Sequence, residues 1–220
     1  MPIKAFIFDL DGVIVDTAVF HYQAWKRMAN QKLGFDISEE FNETLKGVSR
    51  VESLERILQL GNKTITDQEK IDFATQKNDW YLELVNGMDA SDILPGITEM
   101  LQQSKNAGIK IGLGSVSKNA RMILEKVGII GYFDAIIDGT KISRGKPDPE
   151  VFLKGALELG CNPSECVVFE DALAGVEAAV SAGMKTVGIG TKEALPHATI
   201  TYKNLEGIAI NDILGHINEG

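Results

Sequence analysis

Five short stretches of the chain are dominated by apolar residues: "IKAFIF" (3–8), "IKIGLGS" (109–115), "FDAIIDG" (133–139), "CVVFED" (166–171) and "KTVGIG" (185–190). Runs of this length predict strands buried on both faces. Between and beside them apolar positions recur every three or four residues, which predicts helices over 97–107, 118–127, 149–160 and 172–182. Strands alternating with helices predict an α/β fold, a Rossmann-like parallel sheet with helices on both faces. Its crossovers should be right-handed and its ligands should sit beyond the carboxyl ends of the strands.

Residues 17 to 88 break the alternation. They read as helix after helix, over 17–33, 38–46, 50–60 and 67–86, with no strand-like run. "TAVFHYQAWKRMANQKLG" sets Ala18, Tyr22, Trp25, Met28 and Ala29 at helical spacing, with a stop at Gly34. An all-helical block inserted after the first strand predicts a helical cap (16–92) on a catalytic core built from 1–15 and 93–220. "DGVIVDT" and the region around "MDASDILPG" are the expected linkers.

Charge narrows the function classes. Net charge is −9, with 31 acidic residues against 22 basic ones among 220, which speaks against the basic face needed for nucleic acid or a membrane surface. It leaves room for a local basic pocket. The apolar runs fall far short of the roughly 20 residues of a membrane span. The N-terminal apolar stretch runs straight into carboxylates rather than a signal-peptide pattern, so a cytoplasmic protein is expected. Cys161 and Cys166, in "GCNPSEC", have no second Cys/His pair to complete a zinc site and read as reduced thiols flanking a turn.

The chemistry gathers at the predicted strand ends. Asp9 and Asp11 follow the first strand, Ser115 ends the second, Lys146 lies after the third, and Glu170 and Asp171 follow the fourth. Taken alone, D-x-D fits a Mg²⁺ or Ca²⁺ site or a solvated turn, and Ser115 and Lys146 fit an N-cap and a surface lysine. Together, one group per strand end, they fit phosphoryl transfer. Two aspartates on alternate residues can flank one reacting atom, and a second acidic pair on another strand end suits Mg²⁺. One aspartate serves as nucleophile towards phosphorus and a second, protonatable one as general acid and base. Lys146 and the Ser115 hydroxyl, with helix N-terminal amides beyond it, supply the fixed donors. In the inserted block, Arg50 can grip a second phosphate with parallel charge-assisted bonds, and Gly47 suits a loop that approaches a ligand closely. His21 lies on an otherwise aromatic and apolar helical face, where a satisfied core histidine is the competing reading.

"DLDGVIVDT", "GSVSKN", "GKPDP" and "FEDALAGVEAA" resemble the four motifs of the haloacid dehalogenase superfamily of phosphotransferases. "DTAVFHYQAW", "FNETLKGVSRVESLERIL" and "QKNDWY" are similar to the helical cap of its hexose-phosphate mutases, and the likeness covers nearly the whole chain. The resemblance implies Mg²⁺ and interconversion of β-glucose 1-phosphate and glucose 6-phosphate through an aspartyl phosphate and β-glucose 1,6-bisphosphate. It makes Asp9 the nucleophile and Asp11 the general acid/base. Asp9, the main-chain carbonyl of Asp11, and Asp171 become metal ligands, with Glu170 close by. It gives Ser115 and Lys146 to the transferring phosphate, and Thr17, His21 and Lys77 to the positioning of Asp11. Lys46, Gly47, Val48, Ser49, Arg50 and Ser53 match the substrate loop, and Ser117, Lys118 and Asn119 the second phosphate contact. Val116 departs from the alanine common between the two serines, which bears on specificity. The expected working form is a monomer acting on a small sugar phosphate. A sugar-phosphate phosphatase of the same superfamily and a catalytically silent sugar-phosphate binding protein are the rivals. The proline after Lys146 raises the expectation of a cis peptide bond there.

Overall fold

The computed structural model describes residues 2–219. Six strands form one parallel sheet: β1 (Ala5–Phe8), β2 (Lys110–Gly114), β3 (Ala135–Ile137), β4 (Cys166–Glu170), β5 (Lys185–Ile189) and β6 (Ile200–Tyr202). Their order across the sheet is β3-β2-β1-β4-β5-β6. The chain builds outwards from β1 to β3, then returns to start the other half at β4. The crevice at the carboxyl ends of β1 and β4 is therefore the point where the order reverses, the place where open α/β sheets hold ligands.

Side chains alternate across the sheet as the pleat requires. Ala5 and Ile7 of β1, with Cys166 and Val168 of β4, pack beneath α7 (Glu150–Leu159) and α8 (Leu173–Ser181). Phe6, Phe8 and Phe169 face the other way, the last two stacked with centroids 4.4 Å apart. Buried residues of α5 (Ile97–Asn106), α6 (Ala120–Lys126) and α9 (Ile210–Glu219) belong to that second core.

Four helices lie between β1 and α5: α1 (Ala18–Met28), extended by a wide turn over Ala29–Leu33, α2 (Glu39–Glu43), α3 (Arg50–Leu60) and α4 (Asp67–Val85). The Ser49 hydroxyl caps α3 by accepting from Glu52 N–H, and Thr66 with Glu69 forms a capping box on α4. α1 and α4 run against each other, with the Arg27 guanidinium 4.2 Å from the Trp80 ring. The two segments joining these helices to the sheet lie side by side: Leu94 N–H donates to Ile14 C=O at 2.9 Å, and Val15 bridges to Ile93. Through Leu10, Val13, Ile14 and Val15 the apolar core continues from the sheet into the inserted helices.

Two elements lie outside the sequence expectation. β6 is a three-residue edge strand with half-exposed side chains, too short for its pattern to stand out. α9 did carry a signal, since Ile210, Ile213 and Ile217 are buried at helical spacing. Among the described residues no helix is long and apolar enough to cross a membrane. Cys161 is half-buried, Cys166 is buried, and both are free thiols.

Candidate active site

Asp9 follows β1 directly, and its N–H pairs with Phe169 C=O at 2.9 Å, so the sheet ladder fixes the main chain that carries the carboxylate. Lys146 reaches the same point from the β3–α7 connection and is fully buried. Its ammonium donates to Asp9 Oδ1 and to Glu170 Oε1, each at 2.5 Å, with the Phe152 ring 4.9 Å away. Burial acts to lower the lysine pKa, but the Asp9 and Glu170 carboxylates outweigh it and hold it above the ordinary value. The other Glu170 oxygen accepts from Ala172 N–H at 2.8 Å. The Lys146–Pro147 bond is cis.

Asp9, Glu170 and Asp171 offer carboxylate oxygens within 4.8 Å of one another. Burial, then the neighbouring carboxylates, pushes the Asp171 pKa well up; Glu170 is raised by burial and by Asp9 against the pull of Lys146. One lysine among three carboxylates leaves negative charge in excess, and an all-oxygen donor set suits a hard divalent cation such as Mg²⁺. Asp9 and Asp171 are the available donors, because both Glu170 oxygens are engaged. The Asp11 carboxylate points elsewhere, accepting from the Thr17 hydroxyl. Burial, and next the Asp9 charge, raises its pKa to about 7.

Two glycines make this packing feasible, and neither stood out in the sequence. A Cβ on Gly12 (φ +80°) would lie 2.0 Å from Asp171 Oδ2, and one on Gly175 would lie 1.8 Å from Glu170 Oε1. Gly175→Ala adds up to about 1 kcal/mol of helix propensity. It also drives Glu170 off Lys146, and disrupting a buried ion pair costs roughly 3–5 kcal/mol. The variant should be less stable by about 2–4 kcal/mol in urea unfolding. Equal or greater stability would show that Glu170 has room to move.

The loop that delivers Lys146 is tied to α7 by Glu150, another residue the sequence reading passed over. Its Oε2 accepts from Ser143 N–H, Ser143 Oγ and Arg144 N–H at 2.8–3.0 Å, and Oε1 pairs with Lys154. The Lys154 bond, then the Arg144 N–H, lowers the Glu150 pKa from 4.5 to about 2. A depressed folded-state pKa contributes stability that is present above the ordinary value and lost as pH falls through the lowered one. Acid unfolding should therefore show a component between about pH 4.5 and 2 that Glu150→Gln lacks. Identical acid limbs for the two proteins would refute it.

The other expected residues fall into two groups. On the β2 side, Ser115 is buried and its hydroxyl accepts from Ser117 N–H at 3.1 Å. It caps no helix: α6 begins only at Ala120, with Asn119 in the cap position, and is seven residues long, too short to offer the expected N-terminal anion site. Val116 is half-buried, and its carbonyl lies where Gly139 allows close approach, a Cβ there being 2.2 Å from it. Lys118 is exposed.

On the inserted helices, His21 Nδ1 lies 2.7 Å from Lys77 Nζ and its ring stacks on Tyr81 with centroids 4.2 Å apart. Lys77 is 2% exposed and lies over the Trp25 and Tyr81 rings. Burial, then nearby cations, pushes both His21 and Lys77 towards their neutral forms. Arg50 opens α3 and donates from Nη2 to Asn78 Oδ1 at 2.6 Å. Val48 and Ser53 are buried. Lys46 pairs with Glu43 at 2.7 Å and, with Gly12, Asp16 and Asp171, lines a cavity of about 270 Å³. Gly47 (φ +71°) does make a close approach, but to Ala172: a Cβ on it would lie 3.2 Å from the Ala172 Cβ. Gly145 faces Ser49 in the same way, 3.5 Å by the same measure. Loops of the sheet and of the inserted helices thus meet over the carboxylates.

This sheet order, with carboxylates on β1 and β4 and a buried lysine between them, defines a class, and the chain belongs to the haloacid dehalogenase-like hydrolase family, whose model matches residues 3–183. It is 44% identical over 209 residues to the β-phosphoglucomutase of Bacillus subtilis, across 94% of this chain and 92% of that one. A crystal structure of β-phosphoglucomutase from Clostridium difficile superposes with a TM-score of 0.96 at 46% identity, covering 99% of this chain and 98% of the other. A fructose-1-phosphate phosphatase of Escherichia coli is 31% identical over 83% of this chain and 94% of its own length.

Proposed function

We propose that the protein is a Mg²⁺-dependent β-phosphoglucomutase that interconverts β-glucose 1-phosphate and glucose 6-phosphate through β-glucose 1,6-bisphosphate. The observation that carries this reading is the pairing of Asp9 with buried Lys146 at 2.5 Å, together with Arg50 at the start of α3, held by Asn78 at 2.6 Å. It provides one seat for a reacting phosphate and a separate cationic seat for a distal one. Near-full-length similarity to two β-phosphoglucomutases supports it.

In this mechanism an Asp9 oxygen attacks phosphorus of the bisphosphate and the bond from phosphorus to the sugar oxygen breaks. Asp11 gives that oxygen its proton; with a pKa raised to about 7, both of its protonation states are accessible near neutrality. In the return half, Asp11 takes the proton of the other sugar hydroxyl as that oxygen attacks the aspartyl phosphate, freeing Asp9. Lys146 balances charge on Asp9 and the phosphate, and the Ser115 hydroxyl donates to the transferring group. Asp9, Asp171 and the Asp11 carbonyl would hold Mg²⁺, which offsets repulsion between carboxylate and phosphate. His21 and Lys77 stand behind the Asp11 position. The inserted segment 16–92 acts as a cap, excluding water while its loop 46–53 holds the sugar phosphate. Every group in the scheme comes from one chain, so a monomer suffices.

The test is conversion of β-glucose 1-phosphate to glucose 6-phosphate in Mg²⁺, with and without catalytic glucose 1,6-bisphosphate. Bisphosphate-stimulated conversion is expected. Release of inorganic phosphate without glucose 6-phosphate would make the protein a phosphatase, and inertness towards every phosphoester would make it a binding protein.

A further inference from the structure

Asn78 joins the two halves of the distal seat. It lies on α4 one residue after Lys77, and its Oδ1 accepts two hydrogen bonds: from Arg50 Nη2 at 2.6 Å and from Asn119 Nδ2 at 2.9 Å. Arg50 belongs to the inserted helices and Asn119 to the sheet domain's β2–α6 connection. The orientation of the Asn78 amide is determined chemically. A guanidinium only donates, so the atom facing Arg50 must be the oxygen, and Asn119 must then turn its NH₂ towards that same oxygen. One carbonyl oxygen therefore gathers two donors that are 69 residues apart in sequence (119 minus 50), each with further N–H groups to spare. Three half-buried side chains meet where protein encloses them without sealing them off.

We infer that Asn78 is a positioning residue for the non-reacting phosphate: its Oδ1 fixes the Arg50 guanidinium and the Asn119 amide in mutual register so that their remaining donors converge on one anionic group. This rests on the reading of Arg50 and Asn119 as the distal-phosphate seat. It adds a residue between them that need not touch the phosphate itself. The consequence is a free protein in which the donors are already oriented, so that binding a sugar phosphate does not first have to immobilise a long arginine. The same oxygen ties α4 to the sheet domain, so orientation of the seat and apposition of the two parts are one event.

Asn78→Ala is a mild change for the fold, because the position is half-exposed on a 19-residue helix and alanine is the best helix former. Its thermal midpoint serves as the folding check. In the mutase assay it should raise KM for β-glucose 1-phosphate roughly tenfold, the loss expected for a charged hydrogen bond, with kcat changed much less. In an Arg50→Ala background the same substitution should add much less than tenfold, because only the Asn119 arm of the pair is left to lose. An unchanged KM, or a full tenfold loss on top of Arg50→Ala, would overturn the proposal; the second result would make Asn78 a direct contact. A readout without substrate keeps this separate from the functional reading. In ligand-free protein the Asn119 side-chain NH₂ should give dispersed, exchange-protected nuclear magnetic resonance signals that collapse towards free-amide positions in Asn78→Ala. Signals identical in the two proteins would defeat the positioning role. An inactive wild type with that collapse intact would defeat the mutase reading alone.

Discussion

Asp9→Asn should abolish turnover while leaving the fold in place, a loss of at least about four decades by analogy with removal of other covalent nucleophiles. The amide keeps the shape and still offers Lys146 an oxygen, and the second lysine partner, Glu170, is untouched at 2.5 Å. The substitution also removes one of three carboxylates crowded within 4.8 Å, which relieves repulsion and offsets the weakened ion pair. Circular dichroism and the thermal midpoint should therefore stay close to wild type. An amide cannot become an acyl phosphate carrier, so incubation with acetyl phosphate should produce no phosphorylated protein by intact mass. Near-normal turnover, or a mass gain of one phosphoryl group retained in the variant, would move the nucleophile elsewhere.

The second large effect is expected at Arg50. A phosphatase handles only the phosphate it cleaves, whereas a mutase must keep its bisphosphate while both ends take a turn at the nucleophile. Losing a charge-assisted pair removes roughly 1.5–3 kcal/mol, or about one to two decades in kcat/KM. Arg50→Ala should slow glucose 6-phosphate formation by that factor. Phosphorylation of Asp9 by acetyl phosphate, which has no distal phosphate, should change far less. Arg50→Lys should recover only part, because an ammonium lacks the planar fork that can hold Asn78 and a phosphate together. If the small-donor reaction falls as steeply as the mutase reaction, Arg50 serves the reacting centre or the fold rather than a separate distal seat.

The main strands and helices were legible because each is long or strongly patterned. The five apolar runs became β1 to β5, and Gly34 ends the first inserted helix in a left-handed conformation, as its place after the apolar pattern predicts. β6 escaped because three half-exposed residues carry no period. At the site, residue types with intrinsic chemistry were visible in the chain: carboxylates, a lysine before proline, an arginine beside a glycine-bearing loop. What escaped were groups whose role exists only in three dimensions. Gly12 and Gly175 matter for the atoms that a Cβ would strike, Glu150 for three donors in a loop before it, and Asn78 for two partners 28 and 41 residues away. Ser115 was legible as the residue that ends the second strand, while the helix beyond it begins at Ala120 rather than at 118.

The buried Lys146 has a consequence for the order in which the molecule can assemble. Its two carboxylate partners stand 137 residues before it and 24 residues after it. An ammonium with no access to water is tolerable only when both are present, so the loop carrying it has no stable buried state until β4 has docked beside β1. During synthesis β1 can pair with β2 once Lys110–Gly114 is made but must wait for β4 on its other side, and the carboxylate–lysine cluster comes into being in that late event together with the centre of the sheet. Chains cut short before Cys166 should hold Lys146 in solvent, open to acylating reagents that the finished protein excludes, and that reactivity would report completion of the central sheet as directly as catalysis does.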